Sequence, residues 1–337
     1  MLYSSTLSEY REFGLFVALA AVWGTSFLAI EVGLETIPPV TFAALRYDIA
    51  GILLLGYAGV VAFRSDKRWR PRGRDEWQLV GVGGFLLIGV HFALLFAGQR
   101  YVTGGIASVI MSLTPVLTPL FALVLLPDER LDKTGVVGVV LGLLGVVVVA
   151  QPDGSGGQAL LGILLLLLSA ASFALGSVLT RKFDTDLSVV PMQAWMMLVG
   201  AGVLHAMVAV LPGESVAAAT FTPEAVVSML YLAIAASIGG LLAYFHLLEQ
   251  VGPNEVTLVN YAVPMFAAGS ELVAFGYGIS TATAIGFLVI LAGFVAVKWR
   301  TVHRTAVPRP ERRGSESQAS NGGAVMVEGN AYYKDVE

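Results

Sequence analysis

The chain has 337 residues, of which 56% are hydrophobic and 13% are charged. A soluble domain is about a quarter charged, so this composition excludes a single soluble core and indicates a protein whose solvent is lipid. The formal net charge of −4 gives no sign of a nucleic-acid partner, and the absence of cysteine excludes disulfides, thiolate metal sites and cysteine nucleophiles.

Long apolar runs dominate the sequence. A helix needs about 20 apolar residues to cross a bilayer, and the runs here are continuous, unlike the alternating segments of about ten residues in a membrane barrel. The sequence therefore predicts an all-α membrane protein. We expect ten transmembrane helices, at residues 13–33, 40–62, 77–99, 104–126, 133–150, 158–180, 190–211, 225–248, 254–276 and 280–300.

The first two predicted helices carry polar and aromatic candidates. Trp23 and Glu31 share one face of the first helix, since they are two four-residue steps apart; Trp23 would either stack on a ligand or fill a gap between helices. Arg46, in the second helix, would bind a solute carboxylate through paired hydrogen bonds, pair with a membrane carboxylate, or reach the outer interface. Asp48 points to another side of that helix, where we expect a partner on a different helix.

The next three predicted helices add a histidine, a proline and a row of glycines. His91 is a candidate proton relay, with hydrogen-bonded packing as the alternative. Pro115 removes a hydrogen bond from the fourth helix and continues a polar stripe that includes Ser108 and Ser112. Glycines three and four residues apart form a smooth ridge on the fifth helix, which indicates close packing within the chain or between two copies: Gly135, Gly138, Gly142 and Gly145.

The sixth predicted helix begins a second version of the first five. Ala170–Asp184 repeats the pattern of Ala20–Glu35, with Phe173 at the position of Trp23. Because five is an odd number, the second set would enter the membrane from the opposite face. The sequence thus predicts two inverted five-helix repeats, at 13–150 and 158–300, an arrangement typical of secondary transporters with a solute site at the repeat interface.

The ninth predicted helix carries one polar stripe, formed by Thr257, Asn260, Pro264 and Glu271. Pro264 corresponds to Pro115 in the first repeat; the two would free backbone carbonyls that line a midplane site, or would only shape the packing of their helices. Asn260 belongs to the same candidate site.

Glu271 is the strongest candidate for carrying a coupling proton. A carboxyl group removed from water retains its proton more readily, and a fixed ion pair with Arg46 is the alternative. Ionisable groups inside a membrane usually face a cavity or a partner. Five of them lie at a similar depth and predict one hydrated cavity: Glu31, Arg46, Asp48, His91 and Glu271.

Basic residues predict the orientation. Nearly all of the 20 lysines and arginines fall on the side that both termini would share, and this side is cytoplasmic by the positive-inside rule. The protein is therefore expected in the cell membrane with both termini in the cytoplasm. Residues 301–337 are rich in proline, glycine, serine and charge, and we expect a disordered cytoplasmic tail.

These features together resemble an EamA-type member of the drug/metabolite transporter superfamily, over about residues 10–300. The matching residues, in chain order, are Trp23-Gly24-Thr25-Ser26-Phe27, Pro38, Arg46, Pro115, Pro127-Asp128-Glu129-Arg130 and Pro264. The resemblance implies ten helices and alternating-access movement of a small organic solute, often export of an amino acid, metabolite or drug.

Other functional classes lack their signatures. A membrane-embedded aspartyl protease would need a Gly-x-Gly-Asp motif, a serine protease would need a base near Ser26, and a zinc protease would need His-Glu-x-x-His. An ATP-driven pump would need a Walker loop. A receptor would need a signalling domain after the last helix. We therefore expect no enzyme, no cofactor and no metal, but a secondary transporter that exports a small solute in a lipid setting. Protons are a candidate coupling ion, a uniporter or importer is the alternative, and monomer and homodimer both stay open.

Overall fold

The computed structural model describes most of the chain, and nearly all of that part is helical. The described residues are 2–65, 67–126, 133–150, 157–276, 278–306, 324–327 and 330–333. The sequence Pro127-Asp128-Glu129-Arg130, which carries part of the family resemblance, lies outside them.

The described residues form ten main helices, numbered here in chain order. They are α1 (Leu2–Leu34), α2 (Pro39–Ser65), α3 (Gly73–Gln99), α4 (Gly104–Leu125), α5 (Lys133–Val149), α6 (Gly157–Thr180), α7 (Val189–Val210), α8 (Pro223–Val251), α9 (Val259–Phe275) and α10 (Thr281–Ala306). A 3₁₀ turn, Val216–Ala218, precedes α8, and a short helix, Pro253–Val256, leads into α9. Two short strands, β1 (Ala324–Val327) and β2 (Asn330–Tyr333), pair antiparallel.

Eight of these helices are long and apolar enough to cross a membrane; α5 and α9, with 17 residues each, fall short of that length. The helix bounds agree with the predicted ones to within a few residues, apart from the early start of α1 and the extension of α10 to Ala306. Within 301–337, where we predicted disorder, the structure has the end of α10 and the β1–β2 pair. The rest of that segment lies outside the described residues.

Local sequence explains where several helices begin and end. Thr103 Oγ1 accepts the Ile106 amide (3.4 Å) at the start of α4, and Thr222 Oγ1 accepts the Ala225 amide (3.2 Å) before α8. Such hydroxyl caps satisfy amides that have no partner inside the helix. Gly276, with φ of 76°, ends α9 in the left-handed conformation that glycine adopts without strain.

Helix contacts follow a regular scheme. Helix α1 packs on α8 and α9, while α6 packs on α3 and α4; α2 contacts α8, while α7 contacts α3. Each of the first five helices corresponds to the helix five places later in the chain, so exchanging the two sets turns α1–α8 into α6–α3, α1–α9 into α6–α4 and α2–α8 into α7–α3. The contacts α2–α7, α4–α9 and α5–α10 convert into themselves. These contacts between the first five and the last five helices are therefore equivalent in pairs.

Two π-helical segments interrupt α3 and α8 at corresponding places, Gly84–Val90 and Tyr231–Gly239. A carbonyl in each accepts a hydrogen bond from a helix of the other set. Ser172 Oγ of α6 donates to the Leu86 carbonyl (2.8 Å), and Trp23 Nε1 of α1 donates to the Ala236 carbonyl (3.1 Å). Both π segments therefore bind a side chain that the other set of helices supplies.

A glutamate closes each end of the bundle. At one end Glu214, in the α7–α8 loop, accepts the Val40 and Thr41 amides that begin α2 (3.2 and 2.9 Å) and the Thr41 hydroxyl (2.9 Å). At the other end Glu76, at the start of α3, accepts Arg68 Nη2 (2.7 Å) and the Thr185 hydroxyl from the α6–α7 loop (3.4 Å). At each end a glutamate thus links the start of a helix of one set to a loop of the other set through charge-assisted bonds.

The glycine ridge of α5 packs against α10 within the same chain. A Cβ at Gly293 would lie 2.6 Å from the Gly138 carbonyl oxygen, and a Cβ at Gly145 would lie 2.7 Å from the Gly286 carbonyl oxygen. Small residues let membrane helices approach this closely. Of the two predicted alternatives, packing within the chain and packing between two copies, the structure has the ridge packed within the chain.

We predict that Gly293→Ala destabilises the fold by about 1–3 kcal/mol, since the added methyl group would overlap the α5 backbone. The matched control is Gly202→Ala in α7, where the added Cβ meets no atom within 4 Å. That change should be neutral or stabilising, because alanine favours helix over glycine. Thermal unfolding in detergent measures both; equal midpoints for the two variants would contradict the close α5–α10 contact.

Candidate functional site

The first residues of α4 hold two carboxyl groups from neighbouring helices. The Gly104 amide donates to Glu31 Oε2 of α1 (3.3 Å), and the Gly105 amide donates to Glu271 Oε1 of α9 (2.8 Å). Amides at a helix start lack partners within the helix and carry partial positive charge, so they attract acidic side chains. Both glutamates were predicted site residues, and the structure brings them together.

The carboxyl groups of Glu31 and Glu271 also hydrogen-bond each other. An ionised carboxylate only accepts hydrogen bonds, and two such charges side by side repel each other, so one shared proton would stabilise the pair. Glu271 is 2% exposed, which removes its carboxyl from bulk water. Among the described residues, its partners are Glu31 and the α4 amides, not the Arg46 that the ion-pair alternative required.

Glycine is needed where the pair meets α4. A Cβ at position 104 would lie 2.7 Å from Glu271 Oε1 and 2.8 Å from Phe27 Cβ, both well inside a normal contact. One turn of α1 before Glu31, the Phe27 carbonyl accepts Gln99 Nε2 at the end of α3. The site thus joins α1, α3, α4 and α9 at one end of the bundle.

Arg46 lies elsewhere in the bundle and is 5% exposed. Its Nε and Nη2 donate to Ser237 Oγ, in the π segment of α8, at 3.3 and 3.1 Å. Its guanidinium carbon lies 4.9, 4.8 and 5.8 Å from the ring centroids of Tyr47, Phe92 and Phe96. Arg46 forms no ion pair with an acid of the described chain, so the predicted pairing with a membrane carboxylate is not found there.

Trp23 of α1 contacts the same π segment of α8. It donates to the Ala236 carbonyl, next to Ser237, and its ring stacks on Tyr244 with 5.7 Å between centroids. Helices α1, α2 and α8 therefore meet at Ala236–Ser237. Trp23 is half-buried, which leaves both predicted roles, ligand stacking and gap filling, in place.

Asp48 lies apart from the other predicted site residues. Its Oδ2 is 2.7 Å from His205 Nε2 of α7, and the two side chains are 35% and 43% exposed. As predicted, it points to another side of α2 than Arg46 and finds its partner on another helix. The α2–α7 contact is the site of this pair, so it does not join the Glu31–Glu271 pair.

His91 belongs to the packing between α3 and α6. Its Nδ1 lies 2.8 Å from Ser169 Oγ, which donates to the His91 carbonyl, also at 2.8 Å. The imidazole ring packs edge-on against Phe92 and Phe173. These contacts favour the packing alternative over the proton relay.

The two prolines differ in their effect, since α4 is interrupted just before Pro115 whereas α9 is continuous through Pro264. Helix α4 is interrupted at Ser112–Leu113, just before Pro115. Because proline has no amide hydrogen to donate to the Met111 carbonyl, this carbonyl accepts a hydrogen bond from Thr114 Oγ1 instead (2.8 Å). Pro264 lies buried inside α9, whereas the turn at 257–258 precedes that helix. The Met111 carbonyl is thus satisfied locally instead of lining an open site.

Asn260 is half-buried one turn before Pro264. Its backbone amide donates to the Thr257 carbonyl (3.1 Å) in the turn that precedes α9. Asn260 therefore lies at the opposite end of α9 from Glu271.

The five ionisable residues predicted to share a cavity occupy several places. Two hollows on the described surface have volumes of about 680 and 270 Å³; the first lies between α5 and α10, and the second lies beside Glu76. Neither hollow is lined by Glu271 or Arg46. Apart from Glu31 and Glu271, each candidate side chain instead contacts its own partner in a different part of the bundle.

Sequence reasoning missed the groups that hold the candidates. These are the amides of Gly104 and Gly105, the Gln99 amide, the Ser237 hydroxyl and the rings of Phe92 and Phe96. A Thr-Gly-Gly sequence at a helix start is a signal for the first two, since it combines a cap with exposed amides. Ser237 and the rings are ordinary residues of apolar helices, and only the fold brings them to Arg46.

Comparison with known proteins links the chain to one family. The profile of the EamA-like transporter family matches residues 12–151 and again residues 160–299. A crystallised protein of 21% sequence identity shares the fold, with a TM-score of 0.58 over 88% of this chain and 99% of that chain.

Several relatives match along nearly their whole length. The uncharacterized inner membrane transporter YedA of Escherichia coli K12 is 29% identical over 82% of this chain and 86% of its own. The uncharacterized transporter YvbV of Bacillus subtilis is 25% identical over 88% of this chain and 94% of its own. Protein PagO of Salmonella typhimurium is 26% identical over 83% and 90%.

We predict that Ser169→Ala lowers the free energy of unfolding by about 1–3 kcal/mol, because it removes the hydroxyl that donates to the buried His91 carbonyl on α3. The control is Ser177→Ala on the same helix, whose exposed hydroxyl bonds only to the Phe173 carbonyl of its own helix (2.9 Å). Thermal unfolding in detergent compares them. If the two variants were equally stable, the structural role of the His91 contact would be refuted.

Proposed function

Because the chain belongs to the EamA-like transporter family, we propose that it moves a small organic solute across the cell membrane by alternating access, as a proton-coupled exporter. The observation that carries the coupling is the hydrogen-bonded pair of Glu31 and Glu271 at the start of α4. Ten membrane crossings, in two inverted repeats, form the framework in which this pair acts.

Two observations support the inverted repeat. The family profile matches twice, and the helix contacts interchange when the two sets of five helices are exchanged. Five crossings in each set would invert the second set relative to the first. Both π segments and the side chains that bind them fit this scheme, since each set donates to a carbonyl of the other.

The orientation proposed from basic residues puts both termini in the cytoplasm. The Glu76 end then faces the cytoplasm, together with Arg68 and Arg72, and the Glu214 end faces outward. This fits the bias of lysine and arginine toward cytoplasmic loops. The Glu31–Glu271 pair lies near the outward end of the bundle, next to the start of α4.

The pair offers a way to take up and release a proton during transport. With one shared proton the two carboxyl groups bond each other and the α4 amides, and the end of the bundle closes around them. Loss of that proton puts two negative charges side by side in a medium of low dielectric constant, which favours separation and entry of water. Proton loading and closure at this end are thereby linked.

Alternating access requires that one end open while the other stays closed. The two glutamate contacts, Glu214 with the start of α2 and Glu76 with Arg68 and Thr185, are suited to this exchange. Each joins loops from both helix sets, so breaking one frees one end only. A solute bound between the sets would then face one side at a time.

We predict that Glu271→Gln weakens proton coupling, because glutamine keeps an acceptor for the Gly105 amide but has no titratable proton. In inside-out vesicles with an imposed pH gradient, a panel of amino acids, organic acids and organic cations is added while a pH-sensitive dye is recorded. Solutes that collapse the gradient with the unmodified protein should do so about tenfold more slowly or not at all with the variant.

The control for this assay is Glu249→Gln, an exposed glutamate of α8, which should behave like the unmodified protein. Undiminished gradient collapse with Glu271→Gln would refute the proton-carrying role. Solute flux that ignores the gradient in the unmodified protein would favour the uniporter instead.

A further inference from the structure

We infer that the solute is an organic monocarboxylate with an apolar or aromatic body, and that Arg46 binds its carboxylate. This inference rests on the proposed transport function and names the class of its substrate. It depends on the charge, the hydrogen bonds and the aromatic neighbours of Arg46.

The charge of Arg46 is uncompensated by the described part of the protein. No Asp or Glu of those residues forms an ion pair with it, although it is 5% exposed. A buried charge in a membrane protein normally pairs or marks the path of a ligand. An anionic solute would supply the missing charge.

The nearby acids are engaged elsewhere. Glu31 and Glu271 bind each other and the amides of α4, and Asp48 is within 2.7 Å of His205 on another side of α2. None of these side chains contacts the guanidinium of Arg46. The counter-ion therefore has to come from outside these residues.

Several N–H donors of the Arg46 guanidinium make no hydrogen bond to the described residues. Nε and Nη2 both reach one acceptor, Ser237 Oγ, and Nη1 makes no hydrogen bond to the described residues. An arginine has five N–H donors in a planar fork that matches the two oxygens of a carboxylate. Ser237 binds the edge of the fork formed by Nε and Nη2, which leaves the other edge, formed by Nη1 and the second hydrogen of Nη2, for the two oxygens of a carboxylate.

The walls around Arg46 favour an apolar body on that anion. The rings of Tyr47, Phe92 and Phe96 surround its guanidinium, and Phe42 packs on Phe96 with 5.3 Å between centroids. Sugars and polyols would lose hydrogen bonds to water against such walls. One arginine balances one negative charge, so a monocarboxylate fits better than a phosphate ester with two.

Equilibrium binding tests this inference without a gradient. The purified full chain is titrated with benzoate, with neutral benzamide and with cationic benzylamine, which share one ring and differ in charge, and the thermal midpoint in detergent is recorded. Benzoate should raise the midpoint in a saturable way, and the other two should bind about tenfold more weakly or not at all.

Variants assign the effect to Arg46. Arg46→Gln should abolish the benzoate shift, and Arg46→Lys, which keeps the charge but loses the fork, should weaken it about tenfold. The matched control is Arg100→Gln, an exposed arginine at the end of α3, which should bind benzoate as the unmodified chain does. Because Arg46→Lys retains the positive charge, it serves as the test if Arg46→Gln does not fold.

Three results would overturn the inference: no saturable benzoate shift, equal binding of benzamide or benzylamine, or unchanged benzoate binding by Arg46→Lys. The proton-coupling proposal fails on a different readout, the collapse of a pH gradient by Glu271→Gln. Loss of benzoate binding would therefore leave the coupling test standing, and the reverse also holds.

Discussion

Lipid offers no hydrogen-bond partners, and this constraint shapes every irregular place in the bundle. Three backbone carbonyls at such places accept a hydrogen bond from a side chain of the protein itself. Thr114 serves the carbonyl that Pro115 leaves open, and Ser172 and Trp23 serve carbonyls of the π segments. Because two of these donors come from the opposite set of helices, satisfying the backbone also locks the two halves together.

The same constraint divides the ionisable residues into those with a polar or charged partner in the protein and one without an anionic partner. His91 contacts Ser169, Asp48 pairs with His205, and Glu31 and Glu271 contact each other and two backbone amides. Arg46 has a hydroxyl and aromatic rings but no anion among the described residues. The side chain whose charge stays unbalanced is therefore the best candidate for ligand binding, and the pair that shares a proton is the best candidate for coupling.

Composition and periodicity predicted the helices well because each apolar run has to match the thickness of a bilayer. The partner of Asp48 on another helix and the packing role of the α5 glycines also followed from helical spacing. The π segments, the hydroxyl that serves the Met111 carbonyl and the contact of Glu31 with Glu271 did not. These depend on which residues of distant helices meet, as with Ser172 at Leu86, and no local pattern records that.

The central claim is that a site beside Arg46 is reached from each side of the membrane in turn. The natural chain has no cysteine, so Ser237→Cys introduces a single thiol next to the guanidinium. A membrane-impermeant maleimide is applied to right-side-out and to inside-out vesicles, and labelling is measured in each. The account predicts labelling from both sides. Labelling from one side only, or from neither, would contradict it.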